Sequence, residues 1–203
     1  MRRLLEYGFV ILLLAGVCAD ECAAKRKDQN PPPDPAFVAI QNISVLPLVD
    51  ARAGEKKTRV DLEKLQASIV RALTKQSHYH ADAASTSGEA GKLEVEDVES
   101  GAPAYIKKLG ASNERWVMVV FLEDTASKGW NTRDWGGTSN AQLAGYLFDK
   151  GNGSLVWKGR GVGQAGAAGL AGMVGMGSIR SEALSKAVTN LLAGLPNHPK
   201  SGK

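Results

Sequence analysis

Three patterns in this sequence put residue types at spacings where side chains can do chemistry. His78 and His80 flank Tyr79. Two residues apart on a strand they share a face, so their imidazoles, with Asp82, are candidates for a metal site. Such a site needs a further strong ligand, and the remaining histidine, His198, stands in the C-terminal tail. The competing reading is a half-exposed strand face, and no metal is assigned. Gly161-Val162-Gly163-Gln164-Ala165-Gly166 matches the dinucleotide fingerprint. That fingerprint works only between the first strand and first helix of a βαβ unit, with an acidic residue about 20 positions on. Here it follows a late hairpin with no second strand, so no nucleotide and no other cofactor is assigned. The carboxylates of Glu94, Glu96, Asp97, Glu99, Glu123 and Asp124 are potential acid/base groups, but each falls in an expected loop or strand end where acids are ordinarily solvated. No Gly-x-Ser-x-Gly elbow occurs, and Cys22 sits in a polar N-terminal stretch with no histidine nearby. The expectation is a protein that is not an enzyme and has no catalytic residues.

Two segments carry the vocabulary of binding instead. Trp130 and Trp135 bracket Arg133 in GWNTRDWGG, and Trp and Arg are enriched at binding hot spots. The alternative folds one indole over a sheet edge. Gly163, Gly166, Gly169, Gly172 and Gly175 recur at every third position, with Leu170, Met173, Val174 and Met176 among them. A soluble helix does not readily accept so many glycines, each costing about 1 kcal/mol against Ala. The glycine-rich segment 161–177 reads either as an adaptable apolar surface for a partner, another copy or lipid, or as a mobile loop with a few residues tucked onto the sheet.

The elements that must position these residues follow from periodicity. A strand is expected from Ile43 to Asp50, with Pro47 at its end or on an unpaired side. A helix over 60–75 places Leu62, Leu65, Ile69 and Leu73 on one stripe. A short strand at 77–83, an acidic loop from Glu94 to Glu99 and a short helix at 102–109 come next. The run 116–122 (WVMVVFL) predicts a central strand covered on both faces and stopped by Glu123 and Asp124. Residues 141–148 and 154–160 predict a hairpin around Asp149-Lys150-Gly151-Asn152-Gly153. A helix over 179–194 follows, buried through Leu184, Val188, Leu191 and Leu195 and ended by Pro196. The order implies an α/β (α+β) domain over 37–195, with one mixed sheet of about five strands and amphipathic helices packed against it. Residues 196–203 form a loose tail.

The N-terminus reads as an address. Arg2 and Arg3 precede the apolar run 8–17 (GFVILLLAGV), which is shorter than the ~20 residues of a membrane-spanning helix and suits a signal-peptide core. Val17 and Ala19 allow cleavage before Asp20, making 1–19 a signal peptide. Cys18 offers the other outcome, acylation of a lipoprotein, although Val17 is larger than the residue such a site prefers. Residues 20–36, with Pro31, Pro32, Pro33 and Pro35, read as a Pro-rich tether. Of the 203 residues, 25 are Lys or Arg and 21 Asp or Glu; a formal charge of +4 is too slight to indicate nucleic acid. A hydrophobic content of 43% excludes wholesale disorder.

The strand ISVLPLVD, the helix after it, the hairpin GYLFDKGNGSLVWKGRG and the closing helix ALSKAVTNLLAGLP together resemble a group of bacterial envelope lipoproteins. These are small outer-membrane lipoproteins whose domain is similar to the TolB amino-terminal domain, with CsgG and the penicillin-binding-protein activator LpoB as relatives. The resemblance covers roughly residues 43–195, and its motifs are structural. It implies a TolB-like fold and an exported, non-catalytic protein of the periplasm or outer membrane. Such a protein acts through envelope partners or as a homo-oligomer in transport, secretion or cell-wall assembly. The alternative is a periplasmic ligand- or lipid-binding transport accessory. No family functional residue maps onto this chain.

Overall fold

The apolar run beginning at Trp116 divides its side chains between two faces, and the whole architecture follows from that alternation. Trp116, Met118, Val120 and Leu122 enter one buried cluster, and Val117, Val119 and Phe121 enter a second. The strand is therefore sandwiched, as its unbroken hydrophobicity requires. The computed structural model describes residues 35–53, 60–131, 136–168 and 176–198, all within one compact unit, Pro33–Lys203.

The elements in chain order are α1 (Pro35–Val38), β1 (Asn42–Val45), β2 (Val49–Asp50), α2 (Leu62–Gln76), β3 (His80–Ala83), α3 (Val95–Ser100), α4 (Pro103–Ile106), β4 (Trp116–Asn131), β5 (Gly136–Asp149), β6 (Ser154–Ala168) and α5 (Met176–Leu192). They form a six-stranded mixed sheet in the order β3-β1-β4-β5-β6, with β2 continuing beside β4. β1 is parallel to β3 and β4, whereas β4, β5 and β6 run antiparallel. Pro47 falls in the break between β1 and β2, where no ladder donor is needed. The α+β class with packed helices is thus the observed one, with one strand more than the sequence suggested.

Helices α2 and α5 cover one face. Asp61 caps α2 by accepting from the Lys64 amide at 3.0 Å, and Leu65, Ile69 and Leu73 are buried beneath it. Each such side chain contributes about 1.5–3 kcal/mol by leaving water. α5 meets the sheet through Ile179, Ala183, Ala187, Val188 and Leu191, while Leu184 is only partly buried. The other face carries α3 and α4, whose Val98 and Ile106 pack on Val119, Phe121, Tyr146 and Phe148. Among the described residues no helix is long and apolar enough to cross a membrane.

Several boundaries differ from the periodicity reading, each for a physical reason. β4 does not stop at Glu123 and Asp124. A bulge between Leu122 and Asp124 absorbs the irregularity, and the Glu123 carboxylate accepts from Gln142 Nε2 at 2.8 Å on β5 and from Arg160 Nη2 at 3.1 Å on β6, the strand beyond it. β5 accordingly starts at Gly136, and β6 runs to Ala168, so half of the glycine-rich segment is paired strand. The acidic run is a helix, α3, with Val98 as its buried residue and Gly101 in the left-handed region (φ +62°) at its end. The strand expected from residue 77 begins only at His80, because His78 turns the chain with φ +62°.

Candidate interaction site at the far end of the sheet

Strand directions give the domain two distinct ends. The chain reaches the sheet at Asn42; in the register Ile43 pairs with Trp116, Trp116 with Asp149, and Asp149 with Ser154. These pairs mark the near end. The far end is marked by Asn131 opposite Gly136 and Gly136 opposite Ala168. There the hairpin tip between β4 and β5 and the connection from β6 to α5 both leave the described structure. α5 then runs back antiparallel to β6: Ala183 lies by Gly163, Ala187 by Gly161, and Trp157 Nε1 donates to Gly194 O at 3.0 Å. The N-terminal turns of α2 and α5 therefore sit toward the far end, which also holds the carboxyl ends of β1, β2 and β4.

The two candidate segments depart from this one end. Trp130 is at the end of β4 before the hairpin tip, and Met176 opens α5. Arg133, Trp135, Leu170, Met173 and Val174 lie outside the described residues, as do Cys18, residues 1–19 and nearly all of the tether. The remaining candidates for chemistry separate. His80 is on edge strand β3 while His78 is in the turn before it, so the pair does not share a strand face. Among the described residues no group of three His, Cys, Asp or Glu side chains could hold a metal ion. Residues 161–166 of the fingerprint match are extended and paired with residues 138–143 of β5. They make no phosphate-binding turn into a helix.

Those glycines have a packing role instead. A Cβ on Gly161 would lie 2.1 Å from Ala187 O, and one on Gly163 would lie 1.9 Å from Ala183 O. Gly161, Gly163 and Ala165 occupy alternate positions facing α5, opposite the small residues Ala183 and Ala187. Helix backbone and strand backbone thus approach to a distance that no larger side chain permits.

Polar side chains on the opposite face of β5 and β6 are internally paired. Tyr146 Oη donates to Glu99 Oε1 at 2.7 Å, and Lys158 Nζ reaches the same oxygen at 3.0 Å. The Tyr146 bond, then Lys158, hold the Glu99 carboxyl below its ordinary range, and burial pushes the Tyr146 phenol well up. At the near end Asp149 is the hub of the hairpin turn. Its buried carboxylate accepts from Arg115 Nε and Nη2 (both 3.1 Å), Gly151 N (2.9 Å) and Asn152 Nδ2 (2.9 Å). Arg115 above all depresses its pKa.

One feature of the far end was not signalled by the sequence. Between the N-terminal halves of α2 and α5 runs a groove of about 290 Å³, floored by Val60, Leu65 and Leu184 and bordered by Lys64 and Arg180. Arg180 reads as an ordinary helix-surface cation until the fold places it there. Its Nε is buried with no hydrogen-bond acceptor among the described residues.

No family model matches the chain, and no curated protein matches it. Solved structures similar to it include the PelC dodecamer from Paraburkholderia phytofirmans, at 13% identity over 78% of this chain and 89% of that chain, with a TM-score of 0.46. Lipoprotein GNA1162 from Neisseria meningitidis is similar at 16% identity, over 68% of this chain and 92% of that one, with a TM-score of 0.44. The LpoB C-terminal domain from Salmonella enterica is similar at 11% identity, over 62% and 83%, with a TM-score of 0.35. The structural neighbours thus include bacterial lipoproteins, LpoB among them.

Proposed function

We propose that this chain is an exported, non-catalytic envelope protein that works by binding other proteins in a transport, secretion or cell-wall assembly. The observation that carries the reading is the polarity of the domain. The chain arrives from the Pro-rich stretch at the near end, whereas the Trp130–Trp135 hairpin and the Leu170–Met176 connection both depart from the far end. Within the domain, the segments proposed for recognition thus leave from the end opposite the one where the chain enters the sheet. The leader-like residues 1–19 and the tether 20–36 supply export and reach.

The test is intact mass and fractionation of the natively expressed protein, followed by in-cell crosslinking. A mass beginning at Asp20 in the periplasm, or at an acylated Cys18 in the membrane fraction, is expected. Replacing Leu170, Met173 and Met176 with Ser, or Trp130 and Trp135 with Ala, is expected to abolish the crosslinked adducts. Recovery of the uncut chain from the cytoplasm, or unchanged crosslinking in both variants, refutes the reading.

A further inference from the structure

The near end of the sheet holds a lysine that the fold buries without pairing it. Lys150 stands in the hairpin turn after β5 and is only 8% exposed. Its amide donates to Arg115 O at 2.9 Å, and its Nζ donates to Ala111 O at 2.7 Å. That carbonyl is the one acceptor the ammonium has among the described residues, where no carboxylate comes within ion-pair distance of it. Glu114 and Glu89 act on it only through space. An ammonium carries three donors, so two are unspent. Burial lowers the Lys150 pKa, the direction expected of a cation that gives up water without gaining a full partner.

Two turns meet around this side chain. Beyond α4, Gly110 turns the chain in the left-handed region (φ +61°). Ala111 and Glu114 then close a small loop, with Glu114 N donating to Ala111 O at 3.1 Å and Ala111 N to Glu114 Oε2 at 2.8 Å. Ser44 Oγ donates to Glu114 Oε1 at 2.7 Å, so both oxygens of that carboxylate are engaged. Between the loop and the hairpin turn lies a pocket of about 350 Å³, lined by Lys107, Ser112, Asn113, Arg115 and Lys150, with Glu114 as its one acid. Arg115 is fixed there by Asp149, which takes its Nε and Nη2, and by the Trp116 ring 4.9 Å beneath it. Its Nη1 has no partner among the described residues, and neither do the side chains of Lys107, Ser112 and Asn113.

Three cations thus share one pocket with a single carboxylate whose oxygens are already bonded. The uncommitted groups are chiefly donors: two ammonium groups, a guanidinium edge, a hydroxyl and an amide. A cationic ligand finds no free carboxylate in this set. An oxyanion with several acceptor atoms suits it, because Lys and Arg form short, charge-assisted bonds to phosphate and the donors come from two separate chain segments. We propose that the pocket between the 107–115 loop and the hairpin turn is a phosphate-binding site, in which Lys150 Nζ, Lys107 Nζ and Arg115 Nη1 meet the phosphate oxygens. The cross-bonded loop and the Asp149-held guanidinium place two of the three cations before any ligand arrives, which lowers the ordering cost of binding.

The site goes beyond the protein-interaction reading and does not depend on it. Isothermal titration calorimetry with inorganic phosphate, at an ionic strength held constant with chloride, is run on the purified full chain, on Lys150→Met and on Lys107→Gln/Ser112→Ala. Wild type is expected to bind phosphate at one site. Each variant is expected to lose about tenfold or more in affinity, the scale of a charge-assisted hydrogen bond. Lys107 and Ser112 are exposed, so the double variant is expected to keep the wild-type melting temperature and decides the question even where Lys150→Met fails to fold. A wild type that binds phosphate no better than chloride, or folded variants that bind it as wild type does, overturns the proposal. Flotation with phosphatidylglycerol vesicles identifies the source. Flotation that inorganic phosphate displaces and the variants lose gives the site to a lipid headgroup. Phosphate binding without such flotation gives it to a soluble phosphate.

Discussion

The contact between α5 and β6 makes the most demanding prediction, because one substitution must be costly at one position and nearly neutral at another close by. A Cβ on Gly163 would stand 1.9 Å from Ala183 O and 2.4 Å from Ala187 N, where ordinary contact begins at 3.4 Å. Both obstacles are helix backbone, so no side chain can rotate away and α5 must withdraw by about 1.5 Å. That withdrawal loosens Ala183, Ala187, Val188 and Leu191 together. Overpacking of this kind costs about 1–3 kcal/mol, and a rigid obstacle belongs at the upper end. Gly163→Ala should therefore cost about 3 kcal/mol, or about 6–12 °C of melting temperature for a chain of this size. Gly166 lies three residues further along the same strand. A Cβ there meets only Thr138 Cγ2 at 3.3 Å and Gly137 O at 3.4 Å. Gly166→Ala should stay within about 0.5 kcal/mol of wild type, with any gain coming from the stiffer unfolded chain. Urea unfolding followed by far-ultraviolet circular dichroism compares the two at equal m-value. If Gly163→Ala is neutral, or if the two cost the same, the close approach of α5 is not what the glycines serve.

Asp149→Asn should destabilise the protein by about 2 kcal/mol at neutral pH, since a buried carboxylate accepting from Arg115, Gly151 and Asn152 loses its charge. The Asp149 pKa is lowered in the fold, so its contribution is complete above the unfolded value of about 3.9 and disappears as pH falls through the folded one. The variant's acid limb, measured by melting temperature against pH, should be flatter. Gln66→Leu leaves the Val45 and Ala84 carbonyls, bonded at 2.8 and 3.0 Å, without their shared donor. Val45 O keeps the Ala84 amide at 2.8 Å, so the cost falls on Ala84 O; a loss of about 1–2 kcal/mol in urea is expected, and a neutral result would mean that another donor reaches that carbonyl. Burial pushes the Tyr79 phenol up to about 12. The unfolded tyrosine ionises from about pH 10, so this group's contribution is intact below pH 10 and is lost as pH rises toward 12. Absorbance at 295 nm during alkaline titration should show tyrosine ionising in step with unfolding.

What the sequence made legible was whatever depends on local period. The Leu62–Leu73 stripe, the two-faced strand from Trp116 and the turn at Asp149–Gly153 all stand where their patterns put them. Extents were lost where a long-range partner overrode the local signal. Glu123 looks like a strand terminator until Gln142 and Arg160 are beside it, and neither is near it in sequence. The acids Glu94–Glu99 look like a solvated loop because a single buried residue, Val98, carries their helix. Arg180 and Lys64 could not be linked by spacing at all, since only the packing of α2 beside α5 brings them to one groove.

The glycine-rich segment shows how one composition can carry two periods. Read from Gly163 onward, the glycines recur every third residue, which suggests a surface with no regular structure. Read with Gly161, Gly163 and Ala165, the small residues recur every second position, which is the period of a strand face pressed on a helix. The structure selects the second period as far as Ala168. Gly161 and Gly163 are therefore accounted for by the bed of α5. The interaction role proposed for this segment rests on Leu170, Met173, Val174 and Met176, which follow that paired stretch in sequence. Because the strand that ends at Ala168 is in register with Gly136 and Asn131, these residues depart from the same end as the tryptophan hairpin. A partner that engages one segment is then expected to lose affinity when the other is altered. Combining Trp135→Ala with Met173→Ser should therefore weaken binding by other than the sum of the two single effects, whereas independent sites would add.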